Sequence, residues 1–247
     1  MRWLRLLLLT LFAFALVLLW RMPAGWARPM FPQALHCVTL TGTIWDGECA
    51  LLSWNDGRRP PLQLTRMHWQ VQPLALFKGR LAAMLTVEHA AGTAQGRVTT
   101  GRGDHIAVSD LSLNGRIDHA LLSALPAGWS GQLEAHGVVL EMQGRQLVAL
   151  RGEARAIDIL DQSGRSAGSY LLTMSESAGP PFTGKLSSSN GPVGLLADLK
   201  IAADFSWELD GSVIATDQAS PQLQRQLQML GPPDGQGRRR ISVAGTN

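Results

Sequence analysis

Little in this sequence is equipped for covalent chemistry. The six histidines, His36, His68, His89, His105, His119 and His136, include no two at a one-turn spacing and no H-E-x-x-H set. Three have an acid next door, in Glu88-His89, Asp104-His105 and Asp118-His119. Adjacent residues on a strand face opposite sides, so such pairs do not converge. No G-x-S-x-G elbow, Walker A loop or helix-opening G-x-G-x-x-G is present. Arg102-Gly103-Asp104 spells an adhesive tripeptide, but three residues match too easily, and it reads as a loop. No catalytic, cofactor or metal site is expected, and the protein reads as a non-enzyme.

Strong charge of one sign is also missing. Lys and Arg number 22 against 19 Asp and Glu, a formal net charge of +3. That balance gives no ground for a nucleic-acid partner. The run Arg238-Arg239-Arg240 reads as a charged strand edge or as a contact for anionic headgroups or an acidic partner. Cysteine is scarce, with only Cys37 and Cys49. No second Cys/His pair stands at ligand spacing, which argues against zinc. A disulfide is expected if the chain is exported, and two buried thiols if it stays in the cytosol. Disorder is excluded too, because hydrophobic residues make up 45% and charged ones 17%.

One long uncharged run is there, at the front. Residues 6–20 are Leu-rich, with Arg2 and Arg5 before them and Arg21 and Pro23 after. A bilayer span needs about 20 apolar residues. Snorkelling of Arg5 brings Trp3 and Leu4 into the span, and Trp3 and Trp20 bracket it as interface anchors. Residues 1–21 are therefore expected to form a single transmembrane helix. A cleaved signal peptide competes, with Gly25-Trp26-Ala27 as a small-x-small site, although its apolar region is usually only about 7–15 residues. Residues 22–36 carry Pro23, Pro29, Pro32 and Gly25, which predicts an irregular juxtamembrane linker. Trp26 and Phe31 in it either rest on lipid or pack on the domain.

Residues 37–247 are expected to form a mainly β domain, an antiparallel curved sheet or roll with two or three short helices. Short alternating stretches and turn signals every ten or so residues carry this reading, and no βαβ alternation opposes it. Asp46-Gly47, Asn114-Gly115 and Asp210-Gly211 read as hairpin turns. A turn at 46–47 sets Cys49 opposite Ile44; a turn near Gly42-Thr43 sets the cysteines face to face; a third arrangement puts Cys37 on a neighbouring strand. Residues 90–103 read as a weak strand and loop, and the serine-rich stretch 187–192 as a loop. Helices are expected after Pro73, over 118–125 and over 221–230, the last with Leu223, Leu227 and Leu230 as its apolar stripe. Trp45, Trp54, Trp69 and Trp207 fall on expected strands, as core or as an apolar concave face. Segments 111–117 and 207–213 resemble each other. Two stacked half-units, 37–126 and 127–247, account for that, as does the general likeness of hairpins.

Three segments together resemble the type II secretion system protein N family. In the first, Pro23-Ala24-Gly25-Trp26 precedes Leu40-Thr41-Gly42-Thr43-Ile44-Trp45-Asp46-Gly47, with Gly42, Thr43, Trp45 and Gly47 on the motif. The second, from Trp69 to Leu81, places Trp69, Pro73, Leu74 and Gly79, and its shape is also similar to AsmA-like envelope proteins. The third carries Trp207 and Gly211, then Gly231, Asp234 and Gly237 after the last helix. The resemblance implies an inner-membrane accessory protein with a periplasmic β domain that contacts other type II secretion components. The AsmA-like part implies an alternative, a lipid-handling protein with an apolar groove. The cysteine pair is not general in the family.

Overall fold

The computed structural model describes residues 2–30, 35–55, 62–101, 103–117, 128–177 and 179–246. Among them are thirteen strands in two compact units. The unit Met1–Ala90 holds β1 (Leu35–Gly42), β2 (Asp46–Trp54), β3 (Leu62–Val71) and β4 (Leu81–His89). The unit Ala91–Asn247 holds β5 (Gly92–Thr100), β6 (His105–Arg116), β7 (Ser130–Gln143), β8 (Gln146–Leu160), β9 (Ser166–Met174), β10 (Phe182–Asn190), β11 (Val193–Ile201), β12 (Trp207–Ala215) and β13 (Arg239–Gly245). Within each unit, strands pair antiparallel with their chain neighbours. Most connections are too short for a parallel crossover, the β12–β13 link with α3 being the clear exception, and the mainly β reading stands.

Helices are few. The helix α1 (Arg2–Trp20) leads the chain. A 3-10 segment covers Ala24–Met30, α2 is Pro73–Leu76 and α3 is Pro221–Gln228. The linker is thus partly regular. Proline fixes φ near the 3-10 value, so prolines that oppose a strand suit this turn. Among the described residues no helix is long and apolar enough to cross a membrane. The side chains of Arg2, Leu4, Arg5 and Leu16 lie outside the described residues, and with them the expected snorkelling of Arg5. Phe31, Pro60-Pro61, Arg102 and the helix expected over 118–125 lie outside them as well.

The core of the first unit gathers Ala24, Cys49, Leu52 and Trp69, with Leu40, Leu64 and Leu85 against them. The burial phase of β2 slips at Leu51, whose φ is 55°, so that Gly47, Cys49 and Leu52 are all buried. The registers with β1 and β3 run unbroken past Leu51, so the slip is a change of backbone conformation there and no residue is inserted. In the second unit Phe182, Leu147, Ile159 and Val213 are buried.

Several local expectations change. Asn114-Gly115 and Asp210-Gly211 are not turns; they sit inside β6 and β12, where Asn114 pairs with Thr93 and Gly211 with Ala197. At Gly211 a Cβ would stand 2.3 Å from the Leu196 carbonyl oxygen, so close strand approach demands glycine there. The segments that suggested a repeat are therefore single strands. Residues 92–100 form a full strand, because small residues leave room for Leu111 across the ladder from Gly96. The serine run belongs to β10. Its register shifts between Ser188 and Asn190, and there Ser188 Oγ accepts the Leu195 amide at 2.8 Å while Ser189 donates to the Ser169 carbonyl. Side chains that favour turns serve equally to satisfy a bulge.

Candidate functional site

The first motif folds into a clasp on the end of α1. Gly42 pairs with Gly47, and residues 43–45 make the turn between β1 and β2. Thr43 closes the turn: its amide donates to the Asp46 carbonyl at 2.8 Å, and its Oγ1 accepts the amides of Trp45 and Asp46. Trp45 therefore lies in a turn, not on a strand, and its indole points at the helix. Nε1 donates to the Leu19 carbonyl at 2.8 Å, and the ring stacks on Trp20 with centroids 6.5 Å apart. The last carbonyls of a helix lack intrahelical donors, and this bond supplies one. The Ile44 amide donates to the Met22 carbonyl at 3.0 Å, and Pro23 bridges to Thr43.

Trp69 on β3 supports the turn from below. Its Nε1 donates to the Ile44 carbonyl at 3.2 Å. Its ring lies on Gly47, where a Cβ would stand 2.3 Å from a ring carbon. The Val71 amide donates to the Trp45 carbonyl at 2.6 Å. The Asp46 carboxylate meets His68 Nε2 at 2.8 Å and accepts from Gln70 Nε2 at 3.3 Å. Leu19, Ile44, Asp46 and His68 were not expected as site residues from sequence; the hairpin turn read at Asp46-Gly47 falls instead at 43–45, with Asp46 opening β2. The backbone carbonyl of Leu19 carries no sequence signal at all.

Removing the indole donor with Trp45→Phe keeps the stack on Trp20. A lost hydrogen bond of this kind costs about 1 kcal/mol, so the Ile44 amide is expected to exchange roughly fivefold faster. Hydrogen exchange on the full chain measures it.

The cysteines are bonded, with Cα atoms 5.9 Å apart. Neither register drawn from a turn position holds, for Cys37 faces Leu52 and Cys49 faces Leu40, although the two cysteines do lie on neighbouring strands. The bridge crosses the ladder diagonally between β1 and β2.

Of the second motif, Pro73 starts α2, Leu74 lies in it, and Gly79 takes φ +66° in the turn back to β4. The third motif lies in the second unit. Trp207 covers Gly245 across the ladder, where a Cβ would be 2.7 Å from the ring. Asp234 ties the loop after α3: its Oδ1 accepts the amides of Gln236 and Arg238, each at 2.8 Å, and Gly237 takes φ +78°. Gly231 offers its carbonyl to Arg239. Arg240 binds Asp210 through two contacts and holds its carboxyl below the usual range.

A cavity of about 520 Å³ in the second unit is lined by Trp129, Tyr170, Val193 and Leu223, with Asp161 and Arg165 among its polar groups. Asp161 closes the turn from β8 to β9. The Ser163 hydroxyl first, then the Arg165 amide, hold its carboxyl well below the usual carboxylate range. A depressed folded pKa stabilises above the unfolded value and loses that contribution as pH falls through the folded one. Asp161→Asn is therefore expected to lower the melting temperature at neutral pH, with the difference vanishing in strong acid. Melts of both proteins across a pH series check it.

Among the described residues no group of three His, Cys, Asp or Glu side chains is placed to hold a metal ion. Residues 33–242 match the family model described as type II secretion system, protein N. No curated protein and no solved structure matches the chain.

Proposed function

The chain belongs to the type II secretion system protein N family, and from that premise we propose an accessory component anchored in the inner membrane by α1. Its β units lie on the periplasmic side and act by contact with other secretion components, not by catalysis. One observation carries the anchor. The described apolar side chains of α1, from Leu6 to Leu9 and at Leu11, Phe12, Phe14 and 17–20, are all exposed. At 100° per residue these positions surround the helix. A helix apolar all round belongs in a protein core or a bilayer, and no protein covers this one among the described residues. The uncharged Leu-rich run over residues 6–20, with Trp3 and Trp20 at its borders, supports the same reading. The Cys37–Cys49 bridge fits an oxidising compartment.

The test combines topology with capture. Alkaline phosphatase fused after Asn247 is expected to be active, and green fluorescent protein at the same place dark. Cross-linking in intact membranes is expected to recover inner-membrane secretion subunits with the chain. A cytosolic chain, or a membrane-bound chain that captures none of those subunits, overturns the proposal.

A further inference from the structure

The tip between β3 and β4 presents apolar side chains to solvent from a hydrogen-bonded turn. Leu74 is 77% exposed and Phe77 89%, with Leu76 and Leu81 also exposed and no residue of α2 buried. The backbone is closed on itself. Lys78 donates to the Ala75 carbonyl, Gly79 to that of Leu76 and Arg80 to that of Ala75, all within 3.1 Å, and Gln72 donates to Ala82 at 2.8 Å. Pro73 has no N–H to satisfy. Lys78 and Arg80 stand beside the apolar residues, exposed and without an ion pair among the described residues.

The tip's position says what covers it. β3 ends at Val71, whose amide is bonded to Trp45, and Trp45 is bonded to Leu19 at the end of α1. Leu74 follows Val71 by at most about 10 Å of chain. The apolar tip and the exit of the apolar helix thus share one end of the first unit. We infer that residues 73–80 form a second membrane foot. Leu74 and Phe77 enter the acyl boundary of the leaflet that α1 leaves, and Lys78 and Arg80 pair with anionic headgroups. This rests on the reading of α1 as an anchor. The chemistry suits it: apolar side chains on a turn with satisfied backbone groups enter the interface cheaply, and flanking cations add electrostatic attraction. Two feet fix the tilt of the first unit on the membrane, which one helix cannot do.

Single-cysteine labels test it in the full chain, with the native bridge oxidised, in nanodiscs of zwitterionic and anionic lipid with brominated acyl chains. An environment-sensitive fluorophore goes at Phe77→Cys, at Phe12→Cys within α1, and at Gln63→Cys at the opposite end of β3. Labels at 12 and 77 are expected to lose most of their emission to the bromines, and the label at 63 none. Quenching at 12 but not at 77 overturns the foot and leaves the anchor standing. No quenching at 12 overturns the anchor, and the foot with it. A label at 77 that is blue-shifted yet unquenched shows a protein partner or second copy on the tip, which also overturns the inference. Lys78→Glu or Arg80→Glu is expected to shift the tip out of anionic bilayers by at least about fivefold each, since one surface cation contributes about 1 kcal/mol. In purely zwitterionic nanodiscs neither variant is expected to differ from the parent; an equal shift there overturns the pairing with anionic headgroups.

Discussion

Trp69→Ala is expected to destabilise the first unit by about 3–5 kcal/mol, as for other buried aromatic truncations. Trp69 is 7% exposed and joins Ala24, Cys49 and Leu52 in the core. The void has little to refill it, because the residue beneath the ring is Gly47. The loss is structural as well, since the Ile44 carbonyl loses the indole donor. Trp69→Phe separates the two effects. It keeps most of the packing and gives up the bond, so the expected cost is only about 1–2 kcal/mol. Urea titration followed by proteolysis between residues 35 and 90 reads both. Equal midpoints for Trp69→Ala and the parent would mean that the ring is not part of this core.

The motif residues were legible in the sequence; their purpose was not. Gly47 and Trp69 stand far apart in the chain, and only the β2–β3 register, which pairs them, lays one on the other. Trp45 read as a strand residue because it follows β-branched neighbours, yet its indole serves a helix end that sequence analysis treats as lipid-facing. The reading of many short strands stands because turn signals recur at about the length of a strand. Individual turns were less legible. Asp210-Gly211 has the residues of a tight turn, but its glycine answers a close approach by Leu196 that exists only once β11 is in place. The same limit applies to Ser188 and Ser189, whose hydroxyls are turn-forming until a neighbouring strand offers better partners. The exposed tip at Leu74 and Phe77 was hidden for the opposite reason. Its pattern is apolar, and apolar residues in a soluble domain are expected inside.

Replacing both cysteines, Cys37→Ala with Cys49→Ala, is expected to lower the stability of the first unit by about 3 kcal/mol in the chain-entropy treatment. The bridge closes a loop with a sequence separation of 12. Alanine is the right substitute, because Cys49 is fully buried and a serine hydroxyl there would want a partner. What the bridge holds matters more than the number. β1 is the strand between the 3-10 segment and the clasp, and among the described residues it pairs with β2 alone. An edge strand held on one side frays first, and fraying of β1 would carry Gly42 and Thr43 away from the turn that grips α1. The double variant is therefore expected to speed exchange at the Thr43 and Ile44 amides before the unit unfolds. Reduction of the parent protein is expected to reproduce the same exchange pattern. If reduction and the double variant leave those amides as protected as in the oxidised parent, the bridge stabilises the unit without supporting the clasp, and the link drawn between the two fails.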